Sequence, residues 1–362
     1  MFLKRIVKKI LLLLAIIIPG IQFASAACWL EAGSGNIGQT INLTLPLSGT
    51  ISIPESTPVG SAIYRGFVTD SRDQKVSVVC DKSAQFYDQT ILNPQPALAE
   101  GWTPPAGERV YKTSLQGVGL HLFTPSGQMN PNSACVNSIG CYYHPLSVWA
   151  YRLVKTGPIS PGVINGSSLP QLTQNFGQSG SMVKIITLTP SGNVTITTPT
   201  CVTPDVTVDM GSWDIKKFTG KNSTTDWRDA SIQMINCQRF YGSNKYTSYN
   251  LAGQVTSVTQ SSNYWTLQLT PQNGIINSST GIMSIDSTPV NSANGLGIQL
   301  SYGTTASAGT DLVNFGLTKT SEIPTTGSTT ITIPMAARYI QTENTVKPGK
   351  ANGKITFTIT YK

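Results

Sequence analysis

The chain has 362 residues and a net charge of +8, from 25 Lys and Arg against 17 Asp and Glu. Four of the basic residues, Lys4, Arg5, Lys8 and Lys9, fall within the first 26, so the rest is only weakly basic and carries no footprint for nucleic acid. Two histidines, His121 and His144, and no Cys-x-x-Cys pair argue against a zinc centre.

The first element is an export signal: a basic start, an apolar run from Ile10 to Ile18, then Ala24-Ser25-Ala26 with the small-residue spacing of a signal-peptidase site. A core of about 10 apolar residues broken by Pro19-Gly20 is too short for a span, which needs about 20. Residues 1–26 are therefore expected to be removed, leaving Ala27 directly before Cys28. Export fits an even number of cysteines. Six cysteines admit many pairings, and the spacing favours neighbours: Cys28 with Cys80, Cys135 with Cys141, Cys201 with Cys237.

Beyond the signal, short alternating stretches such as Ile41-Asn42-Leu43-Thr44-Leu45, Lys75-Val76-Ser77-Val78-Val79 and Val194-Thr195-Ile196-Thr197 are separated by Gly, Pro, Asn and Ser. This is strand-and-turn patterning, and no long segment has helical periodicity. The fold class expected is all-β, in antiparallel sheets that form sandwiches or barrels. Gly33-Ser34-Gly35-Asn36-Ile37-Gly38 has the spacing of a dinucleotide loop but no following helix pattern, so it reads as a turn and no cofactor is expected. Without a Gly-x-Ser-x-Gly elbow, no enzyme is expected either.

Asp70, Arg72 and Asp73 form a polar turn. Asn93 to Gly107, with Pro94, Pro96, Pro104 and Pro105 around Trp102, reads as a long surface loop. His121 ends the next strand pattern. Cys135 to Arg152 then gathers Tyr142, Tyr143, His144, Trp149 and Arg152 beside a short bridge. A strand ends at Thr197-Thr198-Pro199-Thr200 and a cysteine-bounded unit opens at Cys201. Two domains are expected, 27–197 and 201–362, joined by a linker at 198–200.

The chain closes on Gly349-Lys-Ala-Asn-Gly-Lys-Ile-Thr-Phe-Thr-Ile-Thr-Tyr-Lys362. Ile355, Phe357, Ile359 and Tyr361 point to one face of a half-buried strand, and Lys354, Thr356, Thr358 and Thr360 to the other. This ending resembles that of pilins assembled by the chaperone–usher route. So do Ala337-Arg338-Tyr339, Gly295-Leu296-Gly297-Ile298-Gln299-Leu300 and the loop from Cys201 to Cys237. The resemblance implies an immunoglobulin-like sandwich without its last strand, whose groove is flanked by an early strand and the terminal one. It further implies a periplasmic chaperone that lends a strand and anchors the carboxylate of Lys362, an outer-membrane usher, and a neighbouring pilin that later donates its own strand.

With nothing before Cys28 to donate, the chain is expected at the end of the polymer, at a fimbrium tip on the cell surface. Its first domain also resembles the receptor-binding domain of type 3 fimbrial tip adhesins, known for binding collagen. The resemblance runs through Cys28-Trp29, Pro58-Val59-Gly60-Ser61-Ala62-Ile63, Val79-Cys80-Asp81, and Val110-Tyr111-Lys112-Thr113-Ser114 continuing to Leu120. It implies a lectin-like adhesin for a host glycan or a matrix protein such as collagen; the competing expectation is a terminal adaptor subunit that only primes assembly. A shallow polar pocket with aromatic faces is what such binding needs. The candidate ligand residues are His121, Tyr142, Tyr143, His144, Arg152, Trp102, Asp70 and Arg72, while Trp149 and Tyr151 alternate within one strand as core residues would.

Overall fold

The computed structural model describes residues 27–33, 38–68, 76–122, 126–143, 149–250 and 252–362. The signal segment 1–26 and the candidates Asp70, Arg72 and His144 lie outside the described residues. Within them the chain is all-β, with no α-helix and two short 3₁₀ turns at Gly166–Ser168 and Ile215–Lys217.

Two hydrophobic cores follow one another along the chain. The first is built from inward positions of successive strands, including Leu43, Leu45, Ile63, Tyr64, Val78, Phe86, Leu120, Tyr151, Phe176 and Ile186. Alternation sets this arrangement: in Ile41–Leu47 the residues Leu43, Leu45 and Leu47 are buried while Asn42 and Thr44 face out. Tyr151 is fully buried, as its place in the alternation requires.

The strand Ser181–Thr197 organises this half. It pairs antiparallel with Gln171–Gln178 and Gly162–Asn165, and parallel with Ile41–Leu47 and Thr50–Ser52. The expectation of purely antiparallel sheets is thereby corrected. A parallel neighbour needs a long crossover, which here is supplied by the intervening strands of the same sandwich rather than by a helix.

The second core gathers Ile232, Met234, Trp265, Leu267, Leu269, Ile298, Leu300, Phe315, Ile333 and Tyr339. Leu296–Tyr302 runs antiparallel to Met335–Gln341, and the terminal strand Ile355–Tyr361 antiparallel to Tyr264–Pro271. Three disulfides join Cys28 to Cys80, Cys135 to Cys141 and Cys201 to Cys237. The first of these ties register partners on adjacent strands.

One element crosses between the halves. The hairpin of Ser243–Tyr249 and Val255–Ser261 lies beyond residue 200, yet its first strand pairs parallel with Ala62–Val68. It so extends a six-stranded sheet that otherwise belongs to the first half. Tyr249 is fully buried in the first core and its hydroxyl donates to the Pro46 carbonyl. Beside the hairpin, buried Asn263 binds three partners: its amide donates to the carbonyls of Ser52 (3.1 Å) and Lys362 (3.3 Å) and accepts from the Gly242 N–H (2.9 Å).

Candidate functional site

Two sites emerge, one in each half. The first lies on the six-stranded sheet. Its strands place Thr259, Tyr246, Arg65, Arg152, His121 and Val110 opposite one another in unbroken register, one residue from each strand. On Ala62–Val68, Tyr64 and Val68 are buried in the core and Gly66 faces Leu45. Alternation turns Arg65 and Phe67 to the opposite face.

His121 is only 4% exposed, and its partners fix its proton. Arg152 Nη1 lies 3.2 Å from His121 Nδ1. A guanidinium has only donors, so Nδ1 accepts, and the ring proton sits on Nε2, which donates to Glu108 Oε2 at 2.5 Å. That tautomer is the neutral imidazole. Burial lowers the His121 pKa below its ordinary 6.5; Glu108 opposes the shift, and Arg152 and Arg65 reinforce it.

Trp102 closes over this group. Its ring meets His121 edge-on at 5.4 Å and an angle of 78°, and it lies against Gly60, where an added Cβ would come within 2.8 Å of the indole. The proline-rich segment around it is tethered. Ala99 N–H donates to the Val110 carbonyl, Lys112 N–H to that of Ala97, and Gly101, at φ +91°, packs so tightly on the Thr156 carbonyl that no side chain would fit. At the other end of the row Phe67 and Tyr246 stack at 4.4 Å.

Of the sequence-predicted candidates, the structure gathers His121, Arg152 and Trp102. Tyr142 does not join them: it lies on Ser138–Tyr143, paired with Val76–Ala84 in a separate three-stranded sheet, and is 61% exposed. Tyr143 shares that strand. Arg65, Phe67, Glu108 and Tyr246 were missed. Arg65 had a signal, a lone cation within an otherwise apolar strand, whereas Tyr246 reaches the site only through the hairpin.

The second site is a groove of about 1130 Å³ in the C-terminal half. Its floor is apolar, with Ile232, Leu269, Met283, Ile298, Leu300 and Met335. One wall is the terminal strand, whose Ile355, Phe357, Ile359 and Tyr361 are each only half-buried. That strand pairs with Tyr264–Pro271 on one edge and with no strand on the other among the described residues. The facing wall is the segment 203–211, which runs outside any ladder. Gly349, which opens the terminal motif, sits so close to the backbone of 291–293 that a Cβ would lie 2.5 Å from it. At the other end Lys362 exchanges both backbone hydrogen bonds with Tyr264, and Ser56 of the first half donates to the Tyr361 carbonyl.

Residues 191–362 match the family described as fimbrial protein. Over 361 residues the chain is 22% identical to a fimbria adhesin protein of Klebsiella pneumoniae, covering 98% of this chain and 99% of that one. Among solved structures, the CupB6 tip adhesin of Pseudomonas aeruginosa aligns over 92% of this chain and 94% of its own, at 14% identity and a TM-score of 0.33. The receptor-binding domain of the plasmid-borne adhesin MrkD1P of Klebsiella pneumoniae aligns over 49% of this chain and 98% of its own, at 18% identity and a TM-score of 0.27. At such scores neither superposition carries an argument. Residues 191–362 thus match the fimbrial protein family, and the chain from end to end is similar to a fimbrial adhesin.

Proposed function

We propose that this chain is a two-domain fimbrial tip adhesin, exported through the periplasm, whose second half anchors it to the fimbrium and whose first half binds a host glycan or matrix protein. The observation that carries the reading is the open groove beside the terminal strand. An unpaired edge next to four half-buried apolar side chains is a template for another chain's strand. Main-chain hydrogen bonds along that edge would give affinity, and the pockets beside Ile355, Phe357, Ile359 and Tyr361 would read alternate side chains of the donor. A periplasmic chaperone and then the next pilin are the donors that fit, with the usher handing one over to the other, and Gly349 and Lys362 hold the two ends of the accepting strand in place.

The first half lies almost wholly outside the fimbrial match, carries its own core and offers the tethered row of Arg65, Arg152, His121 and Trp102. Binding there is non-covalent and calls on no cofactor. The test uses the full mature chain, purified with its chaperone, on arrays of host glycans and matrix proteins, alongside fimbria counts in a deletion strain. Receptor retention that disappears on deletion supports the adhesin. Loss of fimbriae with no retention of any receptor class refutes it and favours a terminal adaptor.

A further inference from the structure

The six-stranded sheet holds two like charges face to face. Arg65 and Arg152 are register partners on antiparallel strands, with Cβ atoms about 4.5–5.5 Å apart, an arrangement that costs stability. Burial, and after it the charge of Arg65, lowers the Arg152 pKa below its ordinary value. The carboxylate beside this row among the described residues, Glu108, opposes that shift but is hydrogen-bonded to His121, which is neutral. Arg65 Nε is buried and meets no acceptor among the described residues.

A buried guanidinium nitrogen without an acceptor, next to a second guanidinium, is a cost to the folded chain that an anion would reverse. The neighbours of this pair say what kind of anion. Tyr246 stands opposite Arg65 on the parallel strand and stacks on Phe67, and both rings are half-buried on the same open sheet face. Trp102 closes the far end above His121. Aromatic faces flanking a fork of donors suit a ring with apolar C–H faces and one charged substituent, which is the make-up of an acidic sugar.

We propose that this row is a subsite for the oxyanion of an acidic saccharide. Arg65 and Arg152 receive the carboxylate or sulfate, and the Phe67–Tyr246 pair flanks the sugar ring. His121, held neutral between Glu108 and Arg152, acts as a positioning residue that fixes the Arg152 guanidinium. The inference rests on the adhesin reading and narrows its receptor to one chemical class.

The test presents the full mature chain to an array on which each sialylated, uronate-containing or sulfated glycan sits beside its uncharged counterpart, with acidic peptides as a separate class. The expected result is retention of acidic glycans over their neutral partners, weakened by salt. Arg65→Gln should lower that retention about ten- to hundredfold, the loss of charge-assisted hydrogen bonds, without lowering the thermal midpoint, because it relieves the repulsion of Arg152. Arg65→Lys should recover part of the retention, since an ammonium keeps the charge but not the bidentate fork. Preference for carboxylated over sulfated probes, or the reverse, identifies the oxyanion. Retention of neutral glycans alone, of acidic peptides alone, or at an unchanged level in Arg65→Gln overturns the subsite and leaves the adhesin reading standing. Silence of every class, with matrix proteins spotted on the same array, overturns both.

Discussion

Phe357 offers a direct measure of whether the groove accepts a strand. Its ring is half-buried on the terminal strand beside the open edge. Truncating a fully buried phenylalanine to alanine costs about 3–5 kcal/mol. With half the ring still exposed, Phe357→Ala should cost roughly half of that, about 1.5–2.5 kcal/mol. If an alternating apolar strand is then supplied, by a short turn appended after Lys362, the ring becomes covered and the same substitution should cost the full amount. The difference, about 1.5–2.5 kcal/mol, is a coupling energy between Phe357 and the donor. At about 2–4 °C per kcal/mol for a unit of this size it widens the shift in melting midpoint by roughly 3–10 °C. Thermal melts of four proteins, with and without the appended strand and with Phe or Ala at 357, measure it. An equal cost of Phe357→Ala in both backgrounds would refute the reasoning, because nothing would then be entering the groove beside the ring.

Three further outcomes are expected. His121 has a folded pKa below its ordinary 6.5, so the unfolded chain binds the extra proton first, and stability is full above about 6.5 and declines as the pH drops from there toward the folded value; His121→Gln should flatten that part of a melting-midpoint profile, and an unchanged slope would count against a buried, neutral His121. Gly349→Ala forces a Cβ to 2.5 Å from backbone atoms of 291–293, so it should destabilise the C-terminal half by about 1–3 kcal/mol, seen as a lower denaturation midpoint, with no change in array binding. Asn263→Ala strands Gly242 N–H, takes a donor from the carbonyls of Ser52 and Lys362, and should cost about 2–3 kcal/mol; calorimetry should show the single transition broaden or split as the two halves uncouple.

Local patterning made the fold class legible. The period-2 alternation of Ile41–Leu47 and Ile355–Tyr361 names both the strands and the faces they bury, because side chains on a strand alternate whatever they pair with. Pairing partners were another matter. Nothing in Ser243–Tyr249 announces that it will run parallel to Ala62–Val68, since backbone hydrogen bonds are the same for any extended segment and the choice is made by tertiary packing, here by Tyr249 entering the first core. The site divides along the same line. His121, Arg152 and Trp102 could be nominated by residue type, but Tyr142, equally suitable by type, is carried away on another sheet. Arg65 stands out in the sequence only as a lone cation in an apolar strand, and its meaning waits on a register partner that proves to be a second cation.

The crossing hairpin bears on how such chains exchange parts. Tyr246 and Thr259 complete a surface row whose other members come from before residue 156. Recombination at residue 200 would leave the first half with an unpaired edge on Ala62–Val68 and an empty slot where Tyr249 belongs. A graft that carried the head through Ser261 would keep the row but strip the opening strands from the recipient's groove-bearing half. The two halves are therefore not interchangeable cassettes, and the chemistry of the row can change by substitution within it more readily than by exchange of a whole half.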